Sequence, residues 1–238
     1  MRYTLHRALI FVAAFNLISG VSLARPRAAQ SNPREVVSSS DPRPLNSVIR
    51  GLEARCQCVI TYEDPKWELS QIVDAPVPHP PDSHPHIPRG GPLAIGIDGL
   101  PSSSPERVRP YLEAAVSAAD QKGYGAFQVV TSDTGVFHVA PSTGSFLAVP
   151  VTFASETKPM GEFVTSILSD VQAANGEQML VVTGAIDLLK TRITAAADHE
   201  PADVVLTRVL SASGLRLSWA LFYDVDLRAH YLDVHLVE

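Results

Sequence analysis

The amino-acid sequence predicts an α+β protein with two small tandem modules, each with helices packed on a small mixed β-sheet. Helical and strand periodicities alternate along the chain, and both halves have the order helix, strand, strand, helix, strand, strand, with an extra leading strand in the second. The hydrophobic fraction of 45% is sufficient for cores to form. The predicted modules cover residues 44–141 and 142–238.

The first 24 residues have the pattern of a cleavable secretory signal peptide. Arg2 and Arg7 precede an apolar run over residues 8–18, and small residues precede the predicted cleavage site after Ala24. A membrane-spanning helix needs about 20 apolar residues, and this run is shorter. We therefore expect a protein secreted across the inner membrane, periplasmic or extracellular, with no membrane span after cleavage.

Two segments are too rich in proline and polar residues for regular structure. Residues 25–43 contain many Arg, Pro and Ser and are predicted to form a flexible leader. Residues 75–92, within the first module, contain seven prolines and three histidines. Because proline lacks an N–H donor and fixes φ, an extended loop is expected there.

The first module is predicted from periodicity and turn signals. Leu45, Val48, Ile49 and Leu52 have helical spacing. Ser104 and Pro105 are typical of a helix start, because a serine caps and a proline fits the first turn. Strands are expected at 59–62, 93–97, 126–131 and 136–140.

The second module is predicted in the same way. A helix over 163–171 ends at Asn175-Gly176, and another begins at Pro201 and ends near Gly214. Strands are expected at 147–153, 179–183, 192–197, 215–221 and 231–237. The last two alternate strictly between apolar and polar residues, so they are predicted to form a hairpin.

Residues 202–215, ADVVLTRVLSASGL, form a leucine-rich helix pattern followed by Gly-Leu and a strand. With 163–183 and 191–193, this pattern resembles the secretin and TonB short N-terminal (STN) domain, mainly over residues 147–238. The opening helix and strand at 44–65 are similar to the same family, which suggests a weaker repeat in 44–141. The resemblance implies a small periplasmic module that docks on an outer-membrane channel.

The net charge and the absence of catalytic sequence motifs argue against several classes of function. The net charge of −6 and the scattered basic residues argue against a nucleic acid or an anionic membrane as partner. The chain has no G-x-S-x-G or H-E-x-x-H motif, and Gly90-Gly91 does not join a strand to a helix as a phosphate loop does. The sequence therefore predicts a noncatalytic protein without a required cofactor.

Cys56 and Cys58 are a candidate disulfide. In an extended strand, residues two apart lie on one face with Cα atoms about 6.5 Å apart, near the limit for a disulfide. A strained bridge would be more oxidising and would suit a redox role. A structural bridge at a helix–strand turn, or two buried thiols, is the favoured alternative.

His79, His84 and His86 lie in the proline loop and are candidate ligands for Zn²⁺ or Cu²⁺. A solvated spacer is the favoured alternative, because prolines do not fix ligand side chains. His230 and His235 lie on the last predicted strand, where an outward polar face explains them more simply than catalysis.

The leading hypothesis is an exported, noncatalytic protein-binding or docking module of the cell envelope. The expected partner is another envelope protein, such as an outer-membrane channel or a secretion component, bound by strand addition at an open sheet edge. The alternative is a periplasmic metal-binding or redox protein that uses the histidine loop or the cysteine pair.

Overall fold

The structure is a computed structural model that describes residues 35–76, 85–98, 105–132, 134–182 and 187–238. Residues 34–238 form one compact unit. The predicted signal peptide lies outside the described residues, as do the first ten residues of the predicted leader. None of the helices described is both long and apolar enough to span a membrane.

The helices and strands confirm the predicted α+β class, with 33% helix and 38% strand. The helices are α1 (Pro44–Cys56), α2 (Pro105–Gln121), α3 (Met160–Asn175) and α4 (Ala202–Ser211). The strands of the first half are β1 (Glu35–Ser39), β2 (Ile60–Glu63), β3 (Ile72–Asp74), β4 (His86–Pro88), β5 (Leu93–Ile97), β6 (Phe127–Thr131) and β7 (Phe137–Pro141). Those of the second half are β8 (Pro150–Pro159), β9 (Gln178–Val182), β10 (Arg192–Pro201), β11 (Leu217–Asp224) and β12 (Ala229–Leu236).

Strands from both predicted modules lie in one six-stranded sheet, in the order β6-β7-β2-β11-β12-β9. This departs from the expectation of a separate sheet for each module. The halves join where β2 and β11 pair in parallel. All four residues of β2 are buried, as expected for a strand in the middle of a sheet with both faces covered.

Apart from the antiparallel β3–β4 pair of the first half, the described elements of the two halves have the same order and the same strand pairing. In the first half, β1 pairs with β5, and β7 lies between β2 in parallel and β6 in antiparallel orientation. In the second half, β8 pairs with β10, and β12 lies between β9 in parallel and β11 in antiparallel orientation. The counterparts are therefore β2 and β9, β6 and β11, β7 and β12, α1 and α3, and α2 and α4.

One strand of the first half lies in the segment predicted to be a flexible leader. Residues 35–39 form β1 and pair with β5 along its whole length. Val37, at the centre of β1, is buried and contacts Gly51 of α1 closely. That single apolar anchor gives too short a pattern to predict a strand from sequence.

The helices of the two halves cover opposite faces of the shared sheet. Ile60 and Tyr62 of β2 belong to the core that contains α1 and α2. Trp219 and Leu221 of β11 belong to the core that contains α3 and α4, whereas Ala220 belongs to the other. Because side chains alternate along a strand, β11 at the centre of the sheet contributes to both cores.

Candidate functional site

The cysteine pair lies at a turn rather than in a strand. Cys56 is the last residue of α1, and Gln57 has a left-handed backbone with φ of 54°. This turn brings the Cα atoms of Cys56 and Cys58 to 5.2 Å, and the two residues form a disulfide. The extended geometry considered for the pair is wrong, because the helix continues to Cys56 and ends in a left-handed residue. The favoured alternative, a bridge at a helix–strand turn, agrees with this structure.

The three histidines of the proline loop are described only in part. His79 and His84 lie outside the described residues. His86 begins β4, and its Nδ1 lies 2.6 Å from a carboxylate oxygen of Asp226. This hydrogen bond raises the pKa of His86. The part of the chain that the structure describes has no group of three or more His, Cys, Asp or Glu residues suited to a metal ion, and the metal site stays a prediction.

A cavity of about 820 Å³ lies at the carboxyl ends of β2 and β7, the end of parallel strands where open α/β sheets often bind ligands. Its polar groups mainly hold the fold together. Glu63 accepts hydrogen bonds from Ser145 Oγ, at 2.7 Å, and from the Phe146 amide. Lys66 Nζ lies 2.6 Å from Glu177. Glu63 and Glu177 are thus already held by donors that belong to the fold.

His230 is an exception at the same cavity. Its side chain is 1% exposed, its ring stacks on Phe146 at 3.8 Å, and Nδ1 lies 3.5 Å from Glu177. Among the described residues, no hydrogen bond satisfies His230 Nδ1. Burial lowers the pKa of His230 to about 4. His230 is therefore a neutral, packed imidazole at pH 7.

Acidification is expected to destabilise the protein through His230. Between pH 6.5 and 4 the unfolded chain protonates this histidine and the folded chain does not, so stability is present above pH 6.5 and is lost as the pH falls toward 4. The loss is up to about 3 kcal/mol. Urea unfolding at pH 7 and pH 4.5 measures it, and His230→Gln is expected to reduce the difference.

The control for this prediction is His199, an exposed histidine on β10. His199→Asn retains a residue that tolerates its positive φ of 53° and is expected to leave the pH dependence unchanged. An equal pH dependence in His230→Gln and the wild type would contradict the role of His230.

A second polar cluster lies between the sheet and α4. His138 Nδ1 bonds Thr61 Oγ1 at 2.8 Å, and His138 Nε2 lies 3.6 Å from Glu63. Burial raises the pKa of Asp203, at the start of α4. A groove of about 470 Å³ borders His138 and Asp203 and runs between α4 and the strands β6 and β7. The groove is therefore polar at its base, whereas exposed Val130 and Val204 make its rim apolar.

The two edge strands of the six-stranded sheet are β6 and β9. Each pairs on one side only within the described part of the chain. Their sequences, FQVVT and QMLVV, contain no charged residue, proline or glycine. Val130 of β6 is 45% exposed and Val181 of β9 is 38% exposed. Natural edge strands usually carry charges, prolines or bulges that prevent strand addition, and these two do not.

One side chain covers part of the β9 edge. The Met179 amide donates a hydrogen bond to Gln172 Oε1 at 3.0 Å. This contact lies at the start of β9, so the remaining residues, 180–182, are the better candidates for strand addition.

Sequence analysis predicted both strands, at 126–131 and 179–183, but not that they lie at the two edges of one sheet. The signal in the sequence is the lack of any charge in either strand. The role of Glu63 and Asp64 was also missed, because their partners come from distant parts of the chain. Comparison with known proteins adds no relative: no family model, curated protein or solved structure matches the chain.

Proposed function

We propose that this protein is an exported, noncatalytic protein-binding module of the cell envelope, and that it binds partners by strand addition to β6 and β9. The observation that carries this proposal is the pair of unprotected, uncharged edges with exposed Val130 and Val181. An added strand gains main-chain hydrogen bonds from the edge, and exposed valines gain apolar contact. The predicted signal peptide supports the location in the envelope.

Two further observations support the noncatalytic part of the proposal. The carboxylates near the 820 Å³ cavity are occupied by structural donors: Glu63 binds a serine and an amide, and Asp64 binds an arginine. His230 is packed against Phe146 rather than placed beside a nucleophile. Buried side chains held by such partners support a structural role better than acid–base work on a substrate.

Site-specific photo-crosslinking in the native envelope tests the proposal. A photoreactive amino acid is placed at Val130 or Val181, and the covalent adducts are identified by mass spectrometry. We expect adducts with a polypeptide at one or both positions. The matched control is Leu69, an apolar side chain that is 83% exposed but lies outside the six-stranded sheet. Adducts at Leu69 with none at the two edges would contradict the proposal.

A further inference from the structure

We propose that copies of this chain associate head to tail, with β9 of one copy adding in parallel to β6 of the next, so that the six-stranded sheet continues from copy to copy. This inference rests on the proposed function, because it names a second copy of the chain as the partner of the same two edges.

The first step is the contact between the halves inside one chain. There β2 and β11 pair in parallel, with Tyr62 opposite Ala220. The Asp64 amide donates to the Leu221 carbonyl at 2.8 Å, which continues the pairing beyond β2. Ser218 Oγ donates to the Ile60 carbonyl at 3.0 Å. The structure thus already contains one strand-to-strand contact of the proposed kind.

The second step is the equivalence of the free edges to the two strands of that contact. The strand β9 of the second half is the counterpart of β2 of the first half. The strand β6 of the first half is the counterpart of β11 of the second half. The two unpaired edges are therefore counterparts of the two strands that join the halves. Because such a contact joins unlike surfaces, it leaves one free edge of each kind and can repeat.

The third step is the symmetry that relates the two halves, because it fixes the orientation of the next copy. Passing from the first half to the second reverses every strand direction and moves the helices to the opposite face. Both changes are the result of one half-turn about an axis that runs across the sheet. A further half-turn restores the first orientation. The next copy would therefore add with the same orientation as the first, and its strand β6 would run parallel to β9.

The fourth step is the space that α3 of one copy needs beside β6 and β7 of the next copy. Inside the chain, α1 reaches across to β12, through an ion pair of Arg50 with Asp233 and a contact of Glu53 with His235 Nε2 at 2.9 Å. The counterpart of α1 is α3, and the counterpart of β12 is β7. The face of β6 and β7 that would receive α3 borders the 470 Å³ groove, where Val130 and Val204 are exposed. The receiving surface thus has exposed apolar side chains at its rim and polar side chains at its base.

Sedimentation velocity of residues 25–238 over a range of concentrations tests the proposal, with one variant for each edge. Val130→Lys places a charge on β6, and Val181→Lys places one on β9. For the wild type, we expect a mass that rises with concentration beyond that of a dimer. Each variant alone is expected to associate about tenfold or more weakly, because one of the two required edges is blocked.

Mixing the two variants gives the decisive result. Each retains the edge that the other lacks, so an equimolar mixture is expected to form dimers and no larger species. Leu227→Lys, on the exposed turn between β11 and β12, is the matched control and is expected to associate like the wild type. Circular dichroism and urea unfolding check that all variants fold.

Three outcomes would overturn the proposal: a wild type that stays monomeric, a single-edge variant that still forms the wild-type series, or a mixture that forms no dimer. If the chain is monomeric while Val130 or Val181 crosslinks to a different polypeptide, head-to-tail association fails and the proposed function stands. If neither edge crosslinks to any polypeptide, the proposed function fails as well.

Discussion

Replacing Asp64 by alanine is expected to lower the free energy of unfolding by about 3–5 kcal/mol. The Asp64 side chain is fully buried and accepts hydrogen bonds from Arg43 Nε at 2.6 Å and from the Tyr223 amide at 3.1 Å. It also accepts from Tyr62 Oη at 2.8 Å and from Trp67 Nε1 at 3.3 Å. Its removal takes away the acceptor of these donors and the ion-pair partner of Arg43, which keeps the Tyr223 carbonyl and the Phe222 ring as neighbours. Urea unfolding measures the change.

The matched control for Asp64 is Asp233, which pairs with Arg50 closer to the surface. The Asp233 side chain is 25% exposed and that of Arg50 is 37% exposed. Because water screens such a pair, Asp233→Ala is expected to cost less than about 1 kcal/mol. Equal losses in the two variants would show that Asp64 does not have the structural role that we assign to it.

Replacing Trp219 by alanine is expected to cost about 3–5 kcal/mol, the range for large buried aromatic side chains. Trp219 is 1% exposed, its Nε1 donates to Thr207 Oγ1 at 3.1 Å, and its ring lies 5.1 Å from that of His138. His138 comes from the first half of the chain and Trp219 from the second. The substitution is therefore expected to weaken both halves together.

The measurement is urea unfolding followed by both circular dichroism and the fluorescence of Trp67, which remains in the variant. Because the halves share a sheet, the two signals are expected to change in a single coincident transition. Trp219→Phe, which keeps a ring beside His138, is expected to cost less than Trp219→Ala. Two separate transitions would contradict the coupling of the two halves through one sheet.

The sequence by itself was sufficient for local structure. Periodicity predicted the buried stripe of α1, with Leu45 and Leu52, and the alternation of Leu217 and Trp219 predicted the last hairpin. These patterns depend on residues within a few positions of each other, and each must place its apolar side chains on one side. The order of elements and the α+β class follow from the same information.

The sequence did not predict which groups the polar side chains bind or how the two halves pair. Both became known only from the tertiary structure. The sequence did not indicate that Asp64 binds the amide of Tyr223, which lies 159 positions away. The extended geometry considered for Cys56 and Cys58 was also wrong, because the left-handed residue Gln57 ends α1 and turns the chain between the two cysteines.

The sequence therefore predicted most of the helices and strands and the apolar side of each, but not β1, β3 or β4. Only the tertiary structure decided that β2 pairs with β11, which leaves β6 and β9 as the two edges of one sheet. Strand pairing uses backbone N–H and C=O groups, which all residues except proline have, so the sequence of a strand does not specify its neighbour. The choice of neighbour depends on how the two cores pack on either face of the sheet.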